Sequence, residues 1–123
     1  MRIFAVTIDC SDPLELARFY KGMLGGAIAS TNDTFVALII EGALRLDFQR
    51  VEDYKRPTWP TTDTPAQMHL DFVVDDLDEA ERYAAAHGAY LADHQPGASR
   101  FRVFIDPAGH PFCLATHAAS RVQ

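Results

Sequence analysis

The segment QMHLDF, residues 67–72, places His69 and Asp71 two positions apart among apolar neighbours. An imidazole can take up or release a proton near neutral pH, and a carboxylate beside it can fix its orientation. Residues two apart on a strand point to the same face, so both side chains would share a face with Gln67 and Val73. Proton transfer or ligand contact is one interpretation of this pair, and a structural hydrogen-bonded pair is the other.

Further polar side chains alternate along two other predicted strands. Thr7 and Asp9 fall on the face of Ala5, and Asp47 and Gln49 share strand parity in RLDFQ. The amide of Gln49 could orient a carbonyl or hydroxyl group of a ligand, or it could lie at an exposed strand end. Asp9 could equally cap the helix that follows it.

Three other side chain types carry possible chemistry. Trp59, the only tryptophan, lies in the irregular segment RPTWP, where it would act as a lid over a cavity or as a clamp between modules. Cys113 lies in an apolar strand, which favours a buried, unreactive thiol. His87 and His94 fall at a helix end and in a loop, and we interpret both as surface features.

The elements that position these side chains occur twice. Asp12 can cap a helix in which Pro13 takes the first position and Glu15 the third, and an offset of 64 residues brings Asp76 and Glu79 to the same places. Each copy has the order strand, helix, strand, strand, strand. The predicted strands are RIFAVTID, AIAST, TFVALII and LRLDFQRV in the first copy and QMHLDFVV, AYLAD, RFRVFID and PFCLAT in the second.

The fold class is therefore α+β, built from two tandem βαβββ modules. Module one covers residues 1–50, an irregular linker rich in proline and threonine covers 51–65, and module two covers 66–117. A chain of 123 residues can bury one core, so we expect a single domain.

Composition and charge exclude several classes of protein. A net charge of -6 with scattered basic residues argues against nucleic acid as a partner. No apolar run approaches the length of a membrane span, and Asp9 comes too early for a signal peptide. The two cysteines form no disulfide framework, so we expect a cytoplasmic protein without membrane contact.

Three segments carry a resemblance to a known superfamily: DPLELARFY at 12–20, HLDFVVDDLDEAE at 69–81 and DPAGHPFCL at 106–114. Together they resemble the vicinal oxygen chelate (VOC) superfamily of glyoxalases, bleomycin-resistance proteins and extradiol dioxygenases, and within it the glyoxalase-like branch. The resemblance implies that each module curls antiparallel strands into a half-barrel whose concave face encloses a ligand, and that the protein forms a homodimer.

Metal-dependent members of that superfamily take ligands from the first and last strand of each module. The matching positions here are Ala5, Asp47, His69 and Cys113. Ala5 offers no donor and neither last strand offers a glutamate. The superfamily's set of metal ligands is therefore incomplete in this sequence, and we assign no cofactor. If a divalent metal is bound, the resemblance implies His69, Asp47 and Cys113 as its donors.

Taken together, residues and resemblance predict a glyoxalase-like protein that acts on an unknown small molecule as a lyase or isomerase. His69 and Asp71 are the predicted catalytic residues. The predicted ligand-binding residues are Thr7, Asp9, Asp47, Gln49, Trp59 and Gln67. The alternative is a non-catalytic protein that binds and sequesters a small molecule, similar to the bleomycin-resistance members.

Overall fold

The computed structural model describes residues 5–42, 44–66, 68–97 and 99–116. The chain divides into two compact units, Met1–Lys55 and Arg56–Gln123. We call them the first and the second unit. The predicted Gln67 lies outside the described residues.

The first unit opens with strand β1, Ala5–Cys10, and helix α1, Pro13–Leu24. The helix begins where the sequence predicts, because the Asp12 carboxylate accepts a hydrogen bond of 3.1 Å from the backbone N–H of Glu15. It ends at Gly25, whose φ of 79° is a left-handed value that favours glycine. Its apolar side chains Leu16, Phe19 and Tyr20 are buried.

Three further strands complete the first sheet: β2, Ala27–Thr31; β3, Phe35–Ile39; and β4, Arg45–Arg50. The strand order is β1-β4-β3-β2, with β1 and β4 parallel and the other pairs antiparallel. The expectation of antiparallel strands therefore holds for β2–β3 and β3–β4 but not for β1–β4. Hairpin turns fix the direction of neighbours in the chain only, whereas a helix and two strands separate β1 from β4 and leave room for a parallel return.

The second unit repeats this order with strand β5, Leu70–Val74, helix α2, Leu77–Ala86, and three strands. The sheet order is β5-β8-β7-β6, again with the first and last strand parallel. The last three strands are β6, Tyr90–Leu91; β7, Phe101–Ile105; and β8, Pro111–Thr116.

The predicted strand over 67–74 is shorter than expected, because β5 begins at Leu70. His69 thus precedes the strand. Leu70 pairs with Phe112, so the position opposite His69 is Pro111, which has no N–H to donate to a ladder.

Helix α2 has the predicted N-terminal cap. The Asp76 carboxylate accepts a hydrogen bond of 3.0 Å from the N–H of Glu79. After the helix, the N–H of Gly88 bonds to the carbonyl of Ala85 and the N–H of Ala89 to that of Ala84, and Gly88 has a φ of 105°. This pattern is a Schellman motif with glycine at its left-handed position. No helix in the described part of the chain has both the length and the apolar character needed to cross a membrane.

Side-chain contacts show which face of the second sheet α2 covers. Arg102 of β7 forms ion pairs with Asp78 at 2.8 Å and Glu81 at 2.9 Å, both on α2. Phe104, two residues further along β7, shares the face of Arg102 and stacks on Phe112 with ring centroids 5.7 Å apart. The side chains of alternate parity therefore lie on the opposite, helix-free face.

Candidate functional site

The helix-free face of the second sheet brings together residues from three adjacent strands. Asp71 of β5 pairs with Cys113 of β8, and Cys113 pairs with Val103 of β7. These three have the opposite parity to Phe72, Phe112 and Phe104, whose rings pack on the helix side. The register of β5 and β8 thus places Asp71 and Cys113 side by side on this face.

His69 extends this row at the beginning of β5. Its Nε2 lies 3.4 Å from Oδ2 of Asp71, and the two side chains are 51% and 67% exposed. A contact of this length at such exposure adds little to stability. The exposure of the His69 imidazole is the more informative property, because a catalytic histidine must be accessible to its substrate.

Cys113 completes a cluster with His69 and Asp71, and the donor atoms of all three lie within 4.8 Å of one another. The thiol is half-buried. Burial is the main cause that raises its pKa to about 11, and the negative charge of Asp71 and a hydrogen bond with its carboxylate add to the shift. At neutral pH the thiol is therefore protonated, which makes it a poor nucleophile.

This pKa predicts a slow reaction of Cys113 with iodoacetamide. The alkylation rate of the metal-free protein should rise with pH through a midpoint near 11, because only the thiolate reacts. Asp71→Asn removes the neighbouring negative charge and should move the midpoint to lower pH, while burial still keeps it above that of a free thiol. Mass spectrometry of the Cys113 peptide measures the rate, and an unchanged midpoint in Asp71→Asn would contradict the assigned electrostatic contribution.

Trp59 lies on an apolar patch of the second unit, beside the cluster. It packs with Phe101 and Cys113 against the buried side chains of Ala92, Val103 and Ile105. Val103 and Cys113 are on the helix-free face, so Trp59 covers part of the face that carries His69 and Asp71. These contacts within the second unit agree with a wall or lid, and the clamp between modules stays a prediction.

Next to Trp59 is an open cavity of about 410 Å³. Residues 56–61 form one side of it, and Tyr90, Ala92 and His94 line the other. Ile105 and Pro111, which pair across β7 and β8, connect this cavity to the position of His69 two strands away. At about 4.8 Å per strand, the cavity and His69 are roughly 10 Å apart on one face.

Gln95 fixes the residues that follow β6. Its amide nitrogen donates to the carbonyls of Ala92 at 2.9 Å and Val103 at 2.8 Å, and its Oε1 accepts from the N–H of Val103 at 2.9 Å. These bonds hold the loop against β7 and leave the His94 ring 5.5 Å from that of Trp59. His94, interpreted from the sequence as a surface residue, is therefore a neighbour of the predicted ligand residue.

The first unit positions the other predicted ligand residues. Asp47 is buried, pairs with Thr7 of β1, and forms an ion pair of 2.7 Å with Arg45. Its Oδ1 is buried and has no hydrogen-bond partner among the described residues. Asp9 and Gln49 pair with each other and are exposed. Asp12, and not Asp9, caps α1.

The two units keep one register at equivalent positions. Thr7 pairs with Asp47 in the first unit, and Asp71 pairs with Cys113 in the second. Asp71 lies 64 positions after Thr7, and Cys113 lies 66 positions after Asp47. Of the positions expected from the resemblance, Asp47 and Cys113 lie in these pairs, whereas Ala5 pairs with Arg45 and His69 precedes β5. Only the second unit assembles His69, Asp71 and Cys113, and Arg56 and His94 beside Trp59 are the residues that sequence patterns missed.

The two βαβββ units, each with a parallel pair of first and last strands and a helix on one face, define the fold of the VOC superfamily. Residues 5–115 match the model of the glyoxalase-like domain, and the chain belongs to that family.

Solved structures with low sequence identity share the fold. A glyoxalase-related enzyme from Fulvimarina pelagi is 20% identical with a TM-score of 0.69, over 96% of this chain and 89% of that one. The fosfomycin resistance protein FosX from Mesorhizobium loti is 19% identical with a TM-score of 0.68, over 94% and 90%. A glyoxalase/bleomycin resistance protein/dioxygenase family enzyme from Burkholderia phytofirmans is 18% identical with a TM-score of 0.68, over 91% and 95%. No curated protein matches this chain.

Proposed function

We propose that this glyoxalase-like protein catalyses proton transfer on a small carbonyl compound, as a lyase or isomerase, with His69 as the acid and base. The observation that carries the proposal is the accessible His69–Asp71 pair on the helix-free face, 3.4 Å apart between Nε2 and Oδ2. Membership of the glyoxalase-like family and the likeness to a glyoxalase-related enzyme agree with it.

The geometry assigns a role to each nitrogen of His69. If Nε2 carries its hydrogen toward the Asp71 carboxylate, Nδ1 holds the lone pair and acts as the base. Nδ1 takes a proton from the carbon next to a carbonyl, and the electron pair of that C–H bond moves to give an enolate. Asp71 then stabilises the imidazolium. With a hydroxyketone, the enolate oxygen takes up a proton, the hydroxyl on the deprotonated carbon loses its proton to become the new carbonyl, and return of the carbon-bound proton to the former carbonyl carbon completes the isomerisation.

Exchange of substrate hydrogen with solvent tests this proposal without knowledge of the natural substrate. The protein is incubated in D₂O with a panel of 2-oxo acids, 2-oxo aldehydes and hydroxyketones, and NMR follows the loss of the hydrogen next to the carbonyl. The proposal expects catalysed exchange with at least one of these classes, above the rate with buffer alone. Absence of catalysed exchange across the panel would count against acid–base catalysis.

A metal-dependent form of the same site is a second candidate, favoured by the cluster of His69, Asp71 and Cys113. Zinc accepts these donor types, and tetrahedral ligands at about 2.0–2.3 Å from an ion lie roughly 3.3–3.8 Å apart. The distance of 3.4 Å between His69 and Asp71 fits, whereas Cys113 has to approach. A bound divalent ion would polarise the carbonyl oxygen. His69 would then be a ligand and not the base.

Titration with Zn²⁺ and Co²⁺ separates the two candidates. The metal-free proposal predicts no stoichiometric uptake by calorimetry and no thiolate-to-Co²⁺ absorption band. Uptake at one ion per chain that His69→Ala, Asp71→Asn and Cys113→Ser each remove would establish the metal-dependent form. Cys10→Ala is the matched control, because Cys10 is the other free cysteine and lies in the first unit.

Sequestration of a small molecule without turnover is the remaining alternative, favoured by the cavity beside Trp59 and its apolar floor. Saturable ligand binding without any catalysed exchange would favour it over the enzyme.

A further inference from the structure

The cavity beside Trp59 has the features of a ligand site of its own. We call it the Trp59 groove and define it by Arg56, Trp59, Ala92, His94, Ile105 and Gly109. Its volume of about 410 Å³ falls within the size range of small-molecule sites. All of these residues belong to the second unit.

Aromatic rings give the groove a preference for flat ligands. Trp59 is half-buried on the apolar patch of Ala92, Val103 and Ile105, and the His94 ring lies 5.5 Å away at an angle of 46°. Packing on the sheet restricts the indole, so its orientation is largely set before a ligand arrives. A flat ring that packs against the indole gains aromatic contact at a low cost in side-chain freedom.

Arg56 places a cation at the edge of the same groove. Its Nη1 donates to the backbone carbonyl of Pro107. A side chain at Gly109 would meet the Arg56 side chain at 3.1 Å, so the absence of a side chain at Gly109 lets the guanidinium lie over this turn. Among the described residues Arg56 has no carboxylate partner, and its remaining N–H groups suit the two oxygens of a carboxylate.

Asp93 also lines the groove and adds a negative charge that acts on a charged ligand. Its carboxylate is exposed and repels an anion, so the charged end of a ligand belongs on the side of Arg56. A neutral residue at position 93 should therefore favour an anionic ligand.

We infer that the Trp59 groove binds an aromatic or similarly flat organic carboxylate, with its ring against Trp59 and its carboxylate on Arg56. The inference deepens the proposed function, on which it rests for the claim that such a compound is the substrate class. In that case the groove holds the non-reacting part of the substrate about two strands from His69.

The single tryptophan makes the groove directly observable, because the tryptophan fluorescence of the chain comes from Trp59 alone. The full chain is titrated with benzoate, which carries no hydrogen next to a ketone and so binds without turnover. Benzyl alcohol supplies the ring without the charge, and acetate supplies the charge without the ring. We expect saturable quenching by benzoate, with weaker binding of both controls.

Matched variants identify the contacts. Arg56→Ala should weaken benzoate binding about tenfold, as expected for the loss of a charge-assisted hydrogen bond in an open site. Arg82→Ala, which removes an exposed arginine from α2, should leave it unchanged. Asp93→Asn should strengthen it. Equal affinities in Arg56→Ala and Arg82→Ala, or no saturable quenching by benzoate, would overturn the inference.

His69→Ala distinguishes failure of this inference from failure of the proposed function. The variant should keep its affinity for benzoate, since His69 lies outside the groove. Benzoate binding that depends on Arg56, in a protein that catalyses no hydrogen exchange, would retain the groove and reject the catalytic role. Exchange that depends on His69, without benzoate binding, would retain the catalytic role and reject the groove as a ligand site.

Discussion

His69→Ala should reduce catalysed hydrogen exchange roughly 100- to 10,000-fold, the usual contribution of a positioned acid–base group. The side chain is half-exposed and its one described contact is the pair with Asp71, so its loss removes the base and leaves the fold intact. Exchange into the best compound of the carbonyl panel, followed by NMR, gives the rate, and urea unfolding checks that stability is unchanged.

The control for this variant is His87→Ala, which removes a histidine at the end of α2 whose ring contacts the carbonyl of Tyr83. It should keep the exchange rate. Asp71→Asn should lower the rate by a smaller factor and should have little further effect when His69 is already alanine, because Asp71 acts through the imidazole. Equal rates in His69→Ala and His87→Ala would rule out His69 as the base.

Asp106→Ala should destabilise the protein by about 3 kcal/mol, since it removes the acceptor of two backbone hydrogen bonds in the turn between β7 and β8. Asp106 is fully buried, and its Oδ1 accepts from the N–H groups of Ala108 at 2.8 Å and His110 at 2.9 Å. Without the carboxylate both N–H groups remain in a poorly solvated turn. Urea unfolding measures the loss as a change in the free energy of unfolding.

Two variants make this result specific. Asp63→Ala removes an exposed aspartate from the irregular segment and should change stability by less than about 0.5 kcal/mol. Asp106→Asn keeps one acceptor oxygen and should fall between the two. A loss in Asp106→Ala no larger than in Asp63→Ala would contradict the role of this turn in holding β8, and with it Cys113, in register.

Local chemistry accounts for the parts of the fold that the sequence predicted well. The caps at Asp12 and Asp76 depend on residues three positions apart, and both form as expected. The alternation along β5 likewise depends on parity alone, which is why Asp71 was predictable on the face of His69. The internal offset of 64 residues adds the second copy of each feature.

Long-range pairing accounts for what the sequence did not predict. His69 lies outside β5 because Pro111 occupies the opposite position, and that relation follows from the register of two strands about 40 residues apart in the chain. The grouping of Arg56, Trp59 and His94 depends on an irregular segment and on the Gln95 bonds, neither of which has a periodic pattern. The shift in the pKa of Cys113 depends on its burial beside Asp71.

Direct contact between His69 and a reacting compound is the most decisive observation. Long-range ¹H–¹⁵N spectra of the histidine side chains, recorded while the fastest-exchanging compound of the panel is added, report on each imidazole separately. The proposal predicts that the His69 resonances shift with saturation at the same concentration that saturates exchange, while those of His87 stay in place. Saturating exchange with no change at His69 would contradict it.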